Sequence, residues 1–151
     1  MNLDADTTPR RHPFGRAANW LVLAGTSLSI IQSAVVAIGA ALAPVTEGFE
    51  LEGPGLLIWL VVGAGIPVGV GWAAWRALRS WWRRSVSVIG RLYLAALLAI
   101  PSSMLLSLPL DDEFLLPVAY FPAGVLMAIG AFVARPRVLA AVREGRGGLG
   151  D

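Results

Sequence analysis

The sequence predicts an all-α integral membrane protein: a four-helix transmembrane bundle with both termini in the cytoplasm. Three observations lead there: the composition, four apolar runs long enough to cross a bilayer, and the placement of the arginines. Of 151 residues, 56% are hydrophobic and only 15% charged, against about 25% charged in an ordinary globular domain. The mean hydropathy is +0.69. A water-soluble chain of this size has too much surface, relative to its volume, to hide so much apolar material. Lipid is therefore the expected solvent.

The first element is a cytoplasmic tail, residues 1–18. Its acidic residues, Asp4 and Asp6, precede the basic ones, and the apolar run that follows is too long for the core of a cleaved signal peptide. The tail is thus expected to lead into an uncleaved span. A hydrocarbon core of about 30 Å needs roughly 20 apolar residues per helix. The first span, Asn19–Ala43, meets that length. It carries Gly25, Ser29, Ser33, Ala37 and Ala41 at successive steps of four, a ladder of small residues that lets another helix approach closely. Gln32 falls near its middle. An amide there must find a hydrogen-bonding partner, because leaving it bare in hydrocarbon costs about 2–7 kcal/mol. Gln32, Ser29 and Ser33 are accordingly expected to make polar contacts in the bundle interior or to a partner.

The second span, Pro54–Trp75, reads GAGIPVGVG at its centre. Gly65 and Gly69 form a GxxxG pair and, with Gly25 and Pro67, are assigned to helix packing. Pro67 removes one backbone hydrogen bond and predicts a kink. The third span, Val86–Leu108, has Arg91 within it, roughly 7–8 Å along the helix from its start. From that depth the side chain can snorkel to the cytoplasmic headgroups. Its phase points elsewhere: Arg91 shares a stripe with Ala95, Ala99 and Ser102–Ser103, so it also stands to contact helix carbonyls, a lipid phosphate or another subunit. The fourth span, Phe114–Ala134, carries Pro117 and Pro122, each expected to kink it as Pro101 kinks the third. Residues 135–151 form a C-terminal cytoplasmic tail, helical for a turn or two through VLAAVREG and disordered through GRGGLGD.

Orientation follows from charge. All twelve basic residues are arginine, a usage that fits a GC-rich bacterial genome. Eleven lie outside the apolar runs, in the N-tail, in the 76–85 loop and in the C-tail. The other two loops hold none and carry Glu47, Glu50, Glu52, Asp111, Asp112 and Glu113. Basic residues stay on the cytoplasmic side, so the termini and the 76–85 loop belong there. Trp20, Trp72, Trp75, Trp81 and Trp82 cluster near the same boundary, where amphipathic rings anchor at the headgroups. Anionic headgroups at that face are the expected partners of RSWWRR. The loop is too short and too close to the bilayer to wrap a nucleic acid.

Little in the sequence points to chemistry. With no cysteine and a single histidine, His12 in the tail, a thiolate site and a bis-histidine haem site are excluded. No metalloprotease, phosphate-loop or nucleophile-elbow motif occurs, and Ser102–Ser103 lack a neighbouring base. The acidic loops lack the spacing of a calcium-binding loop. No catalytic, cofactor or metal residues are therefore assigned, and no enzymatic activity is expected. Four spans is also the size of the small multidrug transporters, which carry a buried glutamate in the first helix; Asn19–Ala43 contains no acid, which speaks against proton-coupled export of that type. A shift of 59 residues superposes Leu56, Gly65, Gly71 and Arg76 on Leu115, Gly124, Gly130 and Arg135, a weak internal repeat in which Pro67 falls on Leu126. The expected role is a non-catalytic accessory or scaffold subunit of the cell membrane, packing against other membrane helices as a homo-oligomer or with a partner subunit. The alternative is a small homo-oligomeric channel, holin-like protein or transporter using Gln32, Arg91 and the Gly/Pro-broken second helix.

Overall fold

The computed structural model of the chain describes residues 15–46, 53–85, 87–107 and 120–143. Helix dominates them. Helix α1 is Arg16–Thr46. Helix α2 is one continuous rod in three parts: an α-helical start, Pro54–Trp59, a π-helical stretch, Leu60–Gly65, and an α-helical end, Ile66–Trp82. Helix α3 is Val88–Ser107 and α4 is Tyr120–Arg143. No strand occurs among the described residues. Three of the helices hold stretches long and apolar enough to cross a membrane: Arg16–Leu42, Leu57–Trp82 and Tyr120–Ala140. The fourth apolar stretch, Val88–Met104 in α3, is shorter. Residues 1–14 of the N-terminal tail with His12, both acidic loops, the start of the fourth span with Pro117, and the GRGGLGD tail lie outside the described residues.

The helices close into a four-membered ring. Helix α1 packs on α2 and α4, and α3 packs on the same two from the other side. Two indole bonds show that α1 and α2 run antiparallel. Trp81 Nε1 donates to Asn19 Oδ1 at 3.0 Å near the start of α1, and Trp59 Nε1 donates to the Ala40 carbonyl at 3.0 Å near its other end. Helix α4 is also antiparallel to α1, with Ala123 and Met127 against Gly25, and Gly130 against Val22. Between α2 and α3 the chain reverses in a few residues. Arg84 takes a left-handed conformation at φ 55°, and its N–H donates to the Trp81 carbonyl at 3.1 Å while Ser85 donates to Ser80 at 3.1 Å. These bonds occupy carbonyls that the helix end would otherwise leave open.

This alternation brings the start of α1, the α2–α3 turn and the end of α4 to one end of the ring. Nine of the twelve arginines are described, and all nine lie towards that end; the others are Arg10, Arg11 and Arg146. The guanidinium of Arg137 rests on Gly15, where a β-carbon would otherwise stand, and Gly15 has a φ of +90°. The exterior is apolar on every helix. Ile38, Leu57, Leu97 and Phe132 are 59%, 66%, 67% and 68% exposed, one from each of the four. Such a surface is unstable in water and suits a hydrocarbon solvent.

Several sequence expectations are corrected. The 76–85 segment is helix as far as Trp82, because Ala77, Leu78 and Trp81 bury themselves against the bundle and carry the rod past its apolar run. Trp81 is not an interfacial anchor: it is fully buried, whereas Trp20, Trp72, Trp75 and Trp82 are exposed. The step-of-four ladder of α1 fails at Ala41, which is exposed. The buried line runs Ala18, Val22, Thr26, Ser29, Gln32 and Ser33, Val36, Ala40, because a straight step of four drifts about 40° per step from a period of 3.6. The kink expected at Pro122 involves the Val118 carbonyl, four residues earlier, which lies outside the described residues. Pro136 lies inside α4, and the helix continues past it to Arg143. The proposed repeat pairs unlike environments, since Gly65 meets open space while Gly124 is tight against Ile100 and the Ala96 carbonyl.

Candidate functional site

Two features stand out, a polar cluster in the interior and a groove on one side of the ring. The cluster is built on α1. Thr26 Oγ1 donates to the Val22 carbonyl at 2.6 Å, so this hydroxyl is satisfied by its own helix. Ser33 Oγ accepts the Tyr120 hydroxyl of α4 at 3.0 Å, and both residues are buried. On its other side Ser33 presses on α2: a β-carbon at Gly71 would stand 2.7 Å from Ser33 Cβ. Ser33 thus joins α1 to both neighbours at one level. Ser29 and Gln32 differ. Ser29 Oγ and both amide atoms of Gln32 are buried with no hydrogen-bond partner among the described residues, and Gln32 is 5% exposed. Gln32 lies two turns from Gly25, hence on the same face, and that face looks at α4.

The assigned glycines part company. Gly25 lies close to α4: a β-carbon there would fall 2.9 Å from the Ala123 carbonyl. Gly65 and Gly69 pack against no other helix among the described residues: a β-carbon at either meets nothing described within 4 Å. They line instead the α2 wall of the groove between α2 and α3. Close contact within the chain falls to Gly71, Gly124 and Gly130, all with neighbours at or below 2.8 Å. Sequence reasoning missed those roles, since a glycine's helix face is readable from its spacing while the neighbour that face meets is not.

Pro67 is buried, and the π-helical stretch Leu60–Gly65 ends just before it. Proline withholds the N–H that would bond the Gly63 carbonyl and crowds that carbonyl. A wider turn relieves both, so the expected kink takes the form of a π-helical insertion. In α3, Pro101 leaves a similar gap, and the hydroxyls of Ser102 and Ser103 donate to the Leu98 and Ile100 carbonyls, both at 2.6 Å.

The groove has a volume of about 710 Å³. Gly65, Gly69 and Ala73 face Leu94, Leu98 and Pro101 across it, with Arg76 and Arg91 at one end and Ser102 towards the other. Arg91 therefore points neither into the packed interior nor straight out to lipid; it is partly buried and lines this side groove. The Arg76 guanidinium lies 4.7 Å over the Trp72 ring, a cation–π contact that holds it at the groove mouth. None of the ten acidic residues is among the described residues, so neither arginine has a carboxylate partner there. Nor do the described residues gather three His, Cys, Asp or Glu side chains that could hold a metal ion. No known family, characterised protein or solved structure matches the chain.

Proposed function

We propose that this is a four-span protein of the cell membrane, with both termini cytoplasmic, that acts without catalysis as an accessory or scaffold subunit packing against other membrane helices. One observation carries the reading: all four helices turn large apolar side chains outward around an interior filled by fully buried Trp81, Tyr120, Leu92 and Met127. An apolar exterior gives neighbouring spans a surface to pack on, and a filled interior leaves the isolated bundle little room for solute. Arginines gathered at one end support placing that end in the cytoplasm.

Two measurements test the proposal. Purification from native membranes in mild detergent is expected to bring down a fixed partner at constant stoichiometry. Recovery of the chain alone, together with solute flux in liposomes, would refute the accessory role. The chain contains no cysteine, so single cysteines can report topology. Cysteines introduced at Glu50 and Asp112 are expected to react with an impermeant maleimide in intact cells, and one at Ser85 only after lysis.

A second reading, a small homo-oligomeric channel, holin-like protein or transporter, rests on the unpartnered amide of Gln32 and the π-helical stretch of α2. A buried polar group without a partner calls for one from outside the packed chain, and π insertions in helices are frequent at functional sites. Specific liposome flux that Gln32→Leu abolishes is the result that favours it.

A further inference from the structure

We infer that the groove between α2 and α3 is a binding site for one anionic phospholipid, its phosphate held by Arg76 and Arg91 and one acyl chain lying along Gly65 and Gly69. The inference rests on the membrane-embedded reading above and goes beyond it, from general attraction at a charged face to a single built site.

Length supports the assignment first. From Arg91 to Ser102 the α3 wall runs eleven residues, and from Gly65 to Arg76 the α2 wall runs the same number. At 1.5 Å per residue each wall is roughly 16 Å long. Half of a hydrocarbon core about 30 Å thick is close to that, so the groove is about as long as the acyl layer of one leaflet is thick. Its volume of about 710 Å³ lies in the range of about 300–1,000 Å³ typical of sites for small ligands.

Chemistry supports it second. The lining is apolar along its length, and the two glycines keep the α2 wall open because no described residue fills the space beside them. The charge is confined to one end. Arg76 and Arg91 approach the groove from different helices and meet no carboxylate among the described residues. Two guanidinium groups over an apolar slot match a phosphate joined to an acyl chain, and the arginine fork suits phosphate oxygens. Another apolar helix would fill the slot but leave both charges uncompensated, which is why lipid is the better occupant.

Native mass spectrometry on the delipidated full chain, given dioleoyl phosphatidylglycerol or dioleoyl phosphatidylcholine, tests the site. One phosphatidylglycerol is expected to stay bound in preference to phosphatidylcholine. Arg91→Gln and Arg76→Gln are each expected to weaken retention about fivefold, with Arg91→Lys keeping most of it. Gly69→Leu and, separately, Gly65→Val fill the groove from the α2 wall and should abolish the bound species for both lipids. Circular dichroism and melting in phosphatidylcholine nanodiscs verify that each variant is folded. The site is refuted if folded Gly69→Leu and Gly65→Val retain phosphatidylglycerol as the parent does. It is also refuted if both lipids bind equally, if millimolar inorganic phosphate displaces the lipid, or if the groove is closed by a second copy in a lipid-free dimer. A chain that remained soluble without detergent would instead overturn the membrane reading itself.

Discussion

Trp81 and Gln32 set opposite problems for the same interior. The Trp81 indole is fully buried and its Nε1–H is met by Asn19, so its large surface contributes packing at little polar cost. Trp81→Ala is expected to destabilise the bundle by about 3 kcal/mol, the low end for such truncations, because lipid supplies no hydrophobic drive and only the lost packing counts. Unfolding in SDS–detergent mixtures measures this. Gln32 has no partner for either amide atom among the described residues. Gln32→Leu, nearly equal in volume, is expected to stabilise the chain by about 1–3 kcal/mol in the same assay. A loss of stability would mean that the amide bonds a group outside the described chain, such as water or a second subunit. Both residues were visible in the sequence, yet in different degrees. The cost of an amide at mid-span follows from composition alone, so Gln32 stands out at once. Trp81 reads like its neighbour Trp82, and only the bond to a residue 62 positions away separates them.

At the scale of the helices, glycine spacing and glycine packing proved to be different things. Gly69 is the second half of a GxxxG pair but faces the open groove, whereas Gly71 supports the contact with Ser33. Gly69→Ala is expected to be tolerated, and to gain up to about 1 kcal/mol of helix propensity. Gly71→Ala forces Ser33 to move and is expected to cost about 1–3 kcal/mol. Thermal melts of the two variants in one detergent give the comparison directly, and a reversed order would contradict the packing of α1 on α2. Helix existence was readable for each rod from its apolar run. Helix ends were less so, and for a physical reason. Hydropathy stops at Trp75 and Ala134, but the backbone stays helical to Trp82 and Arg143 because amphipathic turns beyond the apolar run still have the bundle end to pack against.

For the molecule as a whole, charge and solvent dominate. Arg91 is one of twelve arginines, and the other eleven already favour one side, so Arg91→Leu is expected to leave topology unchanged in cysteine labelling while weakening lipid retention. An inverted topology in that variant would show that the charge map works otherwise than argued here. Composition and hydropathy alone were enough to establish rods of helix, apolar all round, with arginine at alternate ends, because those properties follow from what a lipid solvent and an unpaired backbone allow. The packed chain was needed to learn that Arg76 and Arg91 share a groove, that Ser33 joins three helices and that Gly65 and Gly69 remain uncovered. A period of 3.6 says which residues share a face; which face meets which neighbour depends on how four rods settle against one another, and no single helix contains that information.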